Sequence, residues 1–248
     1  MGVFYRSGQL LLVPLLLCCL QAPASGYDKK DCGLMENPTG IDPGPYLAVS
    51  GFWDSDRRLV IYPLYRTREP RLGRPDPNGP YRLVYFNAAD RRIRDFRFAT
   101  QEMHIVQKNG SDTAVESGLF AFSVPFDEHL QRLAIEHKGR EIWQTDRSRH
   151  NPVVCIERPA EIKGDPPRLS AAWHGWDADG DTLFYLLEAS TDQERSFVPL
   201  TGLVRDTRIA IDAGDFFDGS GMRDVIIALV CTDGLNTVRV PLPLTPLD

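Results

Sequence analysis

Apolar and polar side chains alternate with a period of two in stretch after stretch of this chain, and that rhythm constrains the fold more than any other feature. Between Leu119 and Phe126, the residues Phe120, Phe122, Val124 and Phe126 fall on one face. Tyr81, Leu83 and Tyr85 oppose Arg82, and Phe96 and Phe98 oppose Asp95 and Arg97. Successive strand side chains point to opposite faces, so this is the signature of half-buried strands. Similar runs at 46–52, 59–65, 132–137 and 140–143 bring the first block to seven strands. Pro63 marks an edge or a bulge in its run. Leu130, Leu133 and Ala134 also fit a helical stripe, but Lys138 and Gly139 supply a hairpin turn into Arg140, which favours a strand over 132–137. Residues 100–117 read as an extra hairpin or a flap around a turn at Asn109 and Gly110, and Asn109-Gly110-Ser111 is formally a glycosylation acceptor. The composition, with 20 Gly, 19 Pro and 42% hydrophobic residues, suits a turn-rich all-β protein with real cores.

A second block repeats the pattern. Strands are expected at 168–173, 183–189, 197–200, 208–211, 225–232 and 237–244, with a Gly/Asp-rich loop at 213–221. A chain of 248 residues exceeds one seven-strand sandwich and suits two. The expected division is a lead-in at 25–44, a β-sandwich at 45–157, a linker at 158–167 and a second module at 168–248.

The first 24 residues read as a cleaved signal peptide. Arg6 supplies a positive start, the run from Leu10 to Leu20 is apolar apart from Pro14, and Ala22-Pro23-Ala24 offers small residues for cleavage. The run is too short to span a bilayer, and no later run is long enough. Secretion or a periplasmic location follows. Three cysteines then remain. Cys32 and Cys155 bracket the first module and are expected to bond, while Cys231 sits in an apolar strand as a buried thiol. Removing Arg6 takes the formal net charge from −6 to −7, which argues against nucleic acid as a partner.

The run Trp176-Asp177-Ala178-Asp179-Gly180-Asp181-Thr182-Leu183-Phe184-Tyr185 is followed by Ser190-Thr191-Asp192 and by Thr232-Asp233-Gly234-Leu235-Asn236-Thr237. This pattern resembles a fibronectin type III-like or cadherin-like immunoglobulin-fold module of secreted bacterial proteins. The likeness covers about the last third of the chain. The first block, from Pro45-Tyr46-Leu47-Ala48-Val49-Ser50-Gly51, is similar to the β module that often precedes it. The resemblance implies two tandem immunoglobulin-like β-sandwiches and an exported protein. It implies no activity.

Asp177, Asp179 and Asp181 alternate in a way that can gather carboxylate oxygens around one hard cation. In an immunoglobulin-type sandwich their loop shares a pole with the loop carrying Asp233. Convergence of Asp177, Asp179, Asp181 and Asp233 on the linker residues Glu161 and Asp165 would make a calcium site at the module junction. The alternative is that the aspartates only close their own turn through Asx hydrogen bonds. No cofactor is required, and calcium is the one candidate ion.

The strands at 183–189 and 225–232 are apolar on both faces. With Tyr185, Leu187, Ile227, Leu229 and Cys231 inward, the residues Phe184, Leu186, Ile226, Ala228 and Val230 face out. Such a face needs a cover, either from within the chain or from a protein partner or second copy.

The expected function is that of a secreted, non-catalytic interaction or accessory module. One alternative is an inhibitor that inserts Trp176 and Leu235 as apolar loop tips into an enzyme cleft. Another is a hydrolase using His104 or His150 with a carboxylate. The five histidines show no metal-ligand spacing and no nucleophile motif accompanies them.

Overall fold

The computed structural model describes residues 41–54, 56, 58–106, 112–164, 167–212, 214 and 225–245, with the backbone alone over 102–117. The expected signal peptide, Cys32, Asp165, Asn109 and most of the 213–221 loop lie outside the described residues. Those described form sixteen strands and no helix. None of them forms a helix long and apolar enough to cross a membrane.

The first nine strands are β1 (Tyr46–Trp53), β2 (Leu59–Ile61), β3 (Tyr65–Thr67), β4 (Tyr81–Phe86), β5 (Arg92–Phe98), β6 (Gln101–Val106), β7 (Asp112–Pro125), β8 (Arg132–His137) and β9 (Arg140–Asp146). They make two antiparallel sheets, β2-β1-β7-β6 with β3 also on β1, and β5-β4-β8-β9. Between them lies a core of Leu47, Val49, Leu83, Tyr85, Phe98, Phe120, Phe122, Val124, Leu133 and Ile135. These are the residues that alternation places inward. Phe98 stacks among Tyr81, Phe120 and Phe122 with ring centroids 5.3, 4.8 and 5.0 Å away. Pro63 does break its run: the strand expected at 59–65 is two short pieces, which pair with opposite ends of β1. A proline has no N–H to give the ladder, so the chain steps out between them. The segment at 100–117 is a hairpin arm, with β6 folded back on the first half of β7.

The remaining strands are β10 (Val153–Lys163), β11 (Arg168–Trp176), β12 (Phe184–Ser190), β13 (Val198–Pro199), β14 (Arg208–Asp212), β15 (Ile226–Thr232) and β16 (Thr237–Leu242). Sheets β10-β11-β14 and β13-β12-β15-β16 enclose the second core. Trp173 is its largest fully buried side chain, with its ring 5.5 Å from that of Tyr185. Cys231 is a free thiol that is fully buried there, and burial pushes its pKa up. Residues 158–163 of the expected 158–167 linker belong to β10. This strand carries two register breaks against β11, and at Ala160 it turns to the other sheet, where the Ala160 N–H donates to the Pro243 carbonyl (2.7 Å) and the Ala160 carbonyl accepts the Thr245 N–H (2.8 Å). Pro159 and the charges around it look like a loop in sequence because the strand bulges there. Residues 147–152 make the connection between the two cores.

The expected apolar outer face of β12 and β15 requires correction. Leu186 is 3% exposed and Ala228 and Val230 are 0%, with Phe184 and Ile226 half-buried. That face is covered from within the chain. Ile41 pairs with Arg239 through a 2.9 Å bond and packs with Phe197 and Ala228. Thr232 Oγ1 donates to the Leu64 carbonyl (2.7 Å), and the Arg66 N–H donates to Thr237 Oγ1 (3.0 Å). Both strands are apolar on two faces because both faces are interior.

Candidate functional site

The turn after β11 begins at Asp177. Its Oδ1 accepts the backbone N–H of Asp179 (2.8 Å) and of Asp181 (3.3 Å), and Gly180 takes a φ of +82°. This is the Asx closure that short Asp/Gly turns use, with Gly where a left-handed residue is needed. Asp177 Oδ2 has a different fate. It is buried and has no hydrogen-bond partner.

The second turn, between β15 and β16, carries Asp233. Its Oδ1 accepts the Asn236 N–H (2.9 Å) and its Oδ2 accepts Asn236 Nδ2 (3.0 Å). The two turns lie at the same pole, and carboxylate oxygens of Asp177, Asp181 and Asp233 lie within 4.8 Å of one another. Crowded carboxylates resist sharing negative charge. Burial, reinforced by Asp177 and Asp181, pushes the Asp233 carboxyl up to about 6 against the bonds from Asn236. One carboxylate oxygen from each of Asp177, Asp181 and Asp233 could serve a hard divalent cation.

Of the other expected ligands, Asp179 and Glu161 do not join them, and Asp165 lies outside the described residues. Asp179 turns to His150, accepting its backbone N–H (2.8 Å) and sitting 2.9 Å from Nδ1, and these bonds lower the Asp179 pKa. Glu161 pairs with Ser170 at the far end of the β10–β11 ladder and bonds Lys163 Nζ at 2.8 Å. Among the described residues, the junction bonds residues 148 and 150.

That connection is clasped by residues that sequence reasoning overlooked. Asn236 is 3% exposed. Its Nδ2 donates to the carbonyls of Ser148 (3.1 Å) and His150 (2.9 Å), and its Oδ1 accepts Arg147 Nε (2.7 Å). The Ser148 hydroxyl donates to Asp181. Leu235, the turn-tip residue, is 2% exposed and packs into the core of the first sandwich. Trp176 is half-buried. Ser148 and His150 make two separate aspartate pairs, one through the hydroxyl and one through Nδ1, with no serine-to-imidazole relay. The His150 side chain is 60% exposed. The His104 side chain lies outside what is described.

A second polar cluster ties the sandwiches together further along β12. The side chains of Glu188 and Arg239 are both 0% exposed and 2.9 Å apart. Arg71, from the loop after β3, donates to Glu188 and to the Phe197 carbonyl (2.6 Å). Arg239 also donates to the carbonyls of Asp42 and Pro43, each at 3.1 Å.

No protein-family model, curated protein or solved structure matches the chain.

Proposed function

We propose that the protein is an exported, non-catalytic tandem of immunoglobulin-like β-sandwiches, an interaction or accessory module whose inter-sandwich junction is stiffened by a divalent cation such as calcium. The observation that carries this reading is the meeting of Asp177, Asp181 and Asp233 within 4.8 Å at the joint, where Asp177 Oδ2 is buried without a partner. A cation there would neutralise a crowd of carboxylates and lock the two turns that grip residues 147–150. The Asx turn and the cation are compatible, because Oδ1 of Asp177 closes the turn and Oδ2 remains for the metal. A Cys32–Cys155 disulfide belongs to the same proposal as a tether from the lead-in to β10, and peptide mapping without reductant tests it.

The inhibitor reading is weaker, because Leu235, one of its two apolar tips, is packed inside the first core. For the hydrolase reading, no nucleophile bonds His150 among the described residues, and the His104 side chain lies outside them.

The test is thermal melting of the full chain with calcium or with chelator. Calcium at about a hundred times its dissociation constant adds ~2.7 kcal/mol, or a rise of about 5–10 °C for a protein of this size. Asp177→Asn is expected to abolish the rise, and Asp179→Ala to keep it. A melting temperature that ignores calcium up to millimolar levels sinks the cation and leaves the cluster as turn chemistry.

A further inference from the structure

A cleft of about 490 Å3 opens between the two sandwiches on the Arg147 side of Asn236, lined among others by Asp42, Arg66, Glu128, Arg147, Asn151 and Thr237. Clefts between packed modules are favoured places for small ligands. We propose that this cleft binds a tetrahedral oxyanion, the chemistry of a phosphate or sulfate group, between Arg66 and Arg147, and that Glu128 holds its place in the free protein.

The two guanidinium groups are fixed before any ligand arrives. Arg66 Nε donates to the Gly44 carbonyl at 2.9 Å, and its guanidinium lies 4.2 Å from the Phe126 ring centroid. Arg147 Nε is held by Asn236 Oδ1 at 2.7 Å, its Nη1 donates to the Glu128 carbonyl at 3.1 Å, and it lies 5.4 Å from the same ring. The side chains are only 15% and 18% exposed. Little conformational entropy remains for them to lose on binding, and their low-dielectric surroundings strengthen any charge pairing.

What they share is a poor partner. The Glu128 carboxylate is 67% exposed and reaches Arg66 Nη2 at 3.2 Å but Arg147 Nη2 only at 3.9 Å. Asp42 is farther still, 4.0 Å from Arg66 Nη2. Exposed pairs of this kind contribute little and exchange readily with solvent. One planar carboxylate on a flexible stem spans the two forks imperfectly. A phosphate or sulfate offers three or more oxygens in a pyramid and up to two charges, so it can face both forks at once. Asn151 at the cleft wall offers a neutral amide beside it.

Calorimetric titration of the full chain tests this, with inorganic phosphate, sulfate and acetate in separate arms and ionic strength held constant with sodium chloride. Glu128→Gln removes the resident carboxylate from an exposed position and leaves the arginines in place. It is expected to tighten phosphate and sulfate roughly five- to tenfold, with acetate much weaker in every form. Arg66→Gln in the Glu128→Gln background is expected to lose the gain, and a melting curve checks that it folds. Where it does not, the Arg66 and Arg147 Nε–H resonances of Glu128→Gln report the site directly and should shift on titration. Absence of phosphate and sulfate binding to Glu128→Gln at millimolar concentrations overturns the proposal. So does equal affinity with and without Glu128, acetate binding as tightly as phosphate, or shifts confined to other arginines.

Discussion

Arg147 Nε donates a 2.7 Å hydrogen bond to Asn236 Oδ1, joining the connection between the cores to the last turn of the second sandwich. One buried amide thereby satisfies an arginine and, through Nδ2, the carbonyls of Ser148 and His150. Asn236→Ala would leave all three without it. Buried groups deprived of a partner cost about 1–3 kcal/mol each at most, with partial relief from water, so a net loss of ~2–4 kcal/mol is expected in urea denaturation. A loss under about 0.5 kcal/mol would show that water replaces the amide and that the clasp carries no stability.

Leu235 extends the same clasp through apolar contact. Turn-tip substitutions are usually mild, within about 0.5 kcal/mol. Here Leu235→Ala should cost ~2–5 kcal/mol, because it opens a cavity in the first core. The discriminating measurement is where the loss appears. Hydrogen exchange should accelerate in β4 and β8 of the first sandwich, and acceleration confined to β15 and β16 would contradict the packing.

Much of this architecture is legible in the sequence. Period-two alternation finds the inward residues of both cores, from Phe120 and Phe122 to Ile227 and Leu229. The two apolar faces of β12 and β15 correctly signal a covered sheet, but which cover they receive depends on contacts such as Ile41 with Arg239, separated by most of the chain. Pattern alone cannot see such contacts. Two signals were present and passed over. Glu188 lies on the predicted apolar face, and Arg239 lies between Val238 and Val240. A lone charge on a face with no room for water implies a buried partner of opposite sign. For the metal candidates, alternation groups Asp177, Asp179 and Asp181, yet Asp179 leaves for His150. That choice follows from where residues 147–150 run, which the linker reading had placed elsewhere.

The Arg71–Glu188–Arg239 cluster predicts a larger loss for one substitution than for two. Glu188→Ala strands the Arg239 guanidinium, whose side chain is 0% exposed, and should cost ~3–5 kcal/mol. Glu188→Leu together with Arg239→Met removes the two fully buried charges and leaves Arg71, 14% exposed, on the Phe197 carbonyl, so it should cost less than the single variant. Urea midpoints of the single and double variants decide it. A double variant as unstable as the single would mean that the carbonyl bonds from Arg239 to Asp42 and Pro43 matter more than its charge.

Asp233 predicts a pH dependence with a definite direction. Its folded pKa of about 6 lies above the ordinary aspartate value of about 3.9. The folded protein therefore binds this proton more tightly than the unfolded chain, and the stabilisation it brings is fully present near pH 4 and lost as pH rises through about 6. A two-unit difference corresponds to at most ~3 kcal/mol, and screening at a half-buried group reduces that to about 1–2. In chelator, the melting temperature should fall between pH 5 and 7.5 and then level off. Asp179 does not oppose this trend within the window, because its pKa is lowered and its stabilising bonds are lost only in stronger acid. Calcium should reverse the slope, since a cation favours the ionised carboxylates and competes with the proton. Asp233→Asn should flatten the profile in chelator and weaken the calcium response together. A slope that persists unchanged in that variant would place the titrating group elsewhere. A slope that vanishes while calcium still raises the melting temperature by the native amount would separate the proton site from the cation site.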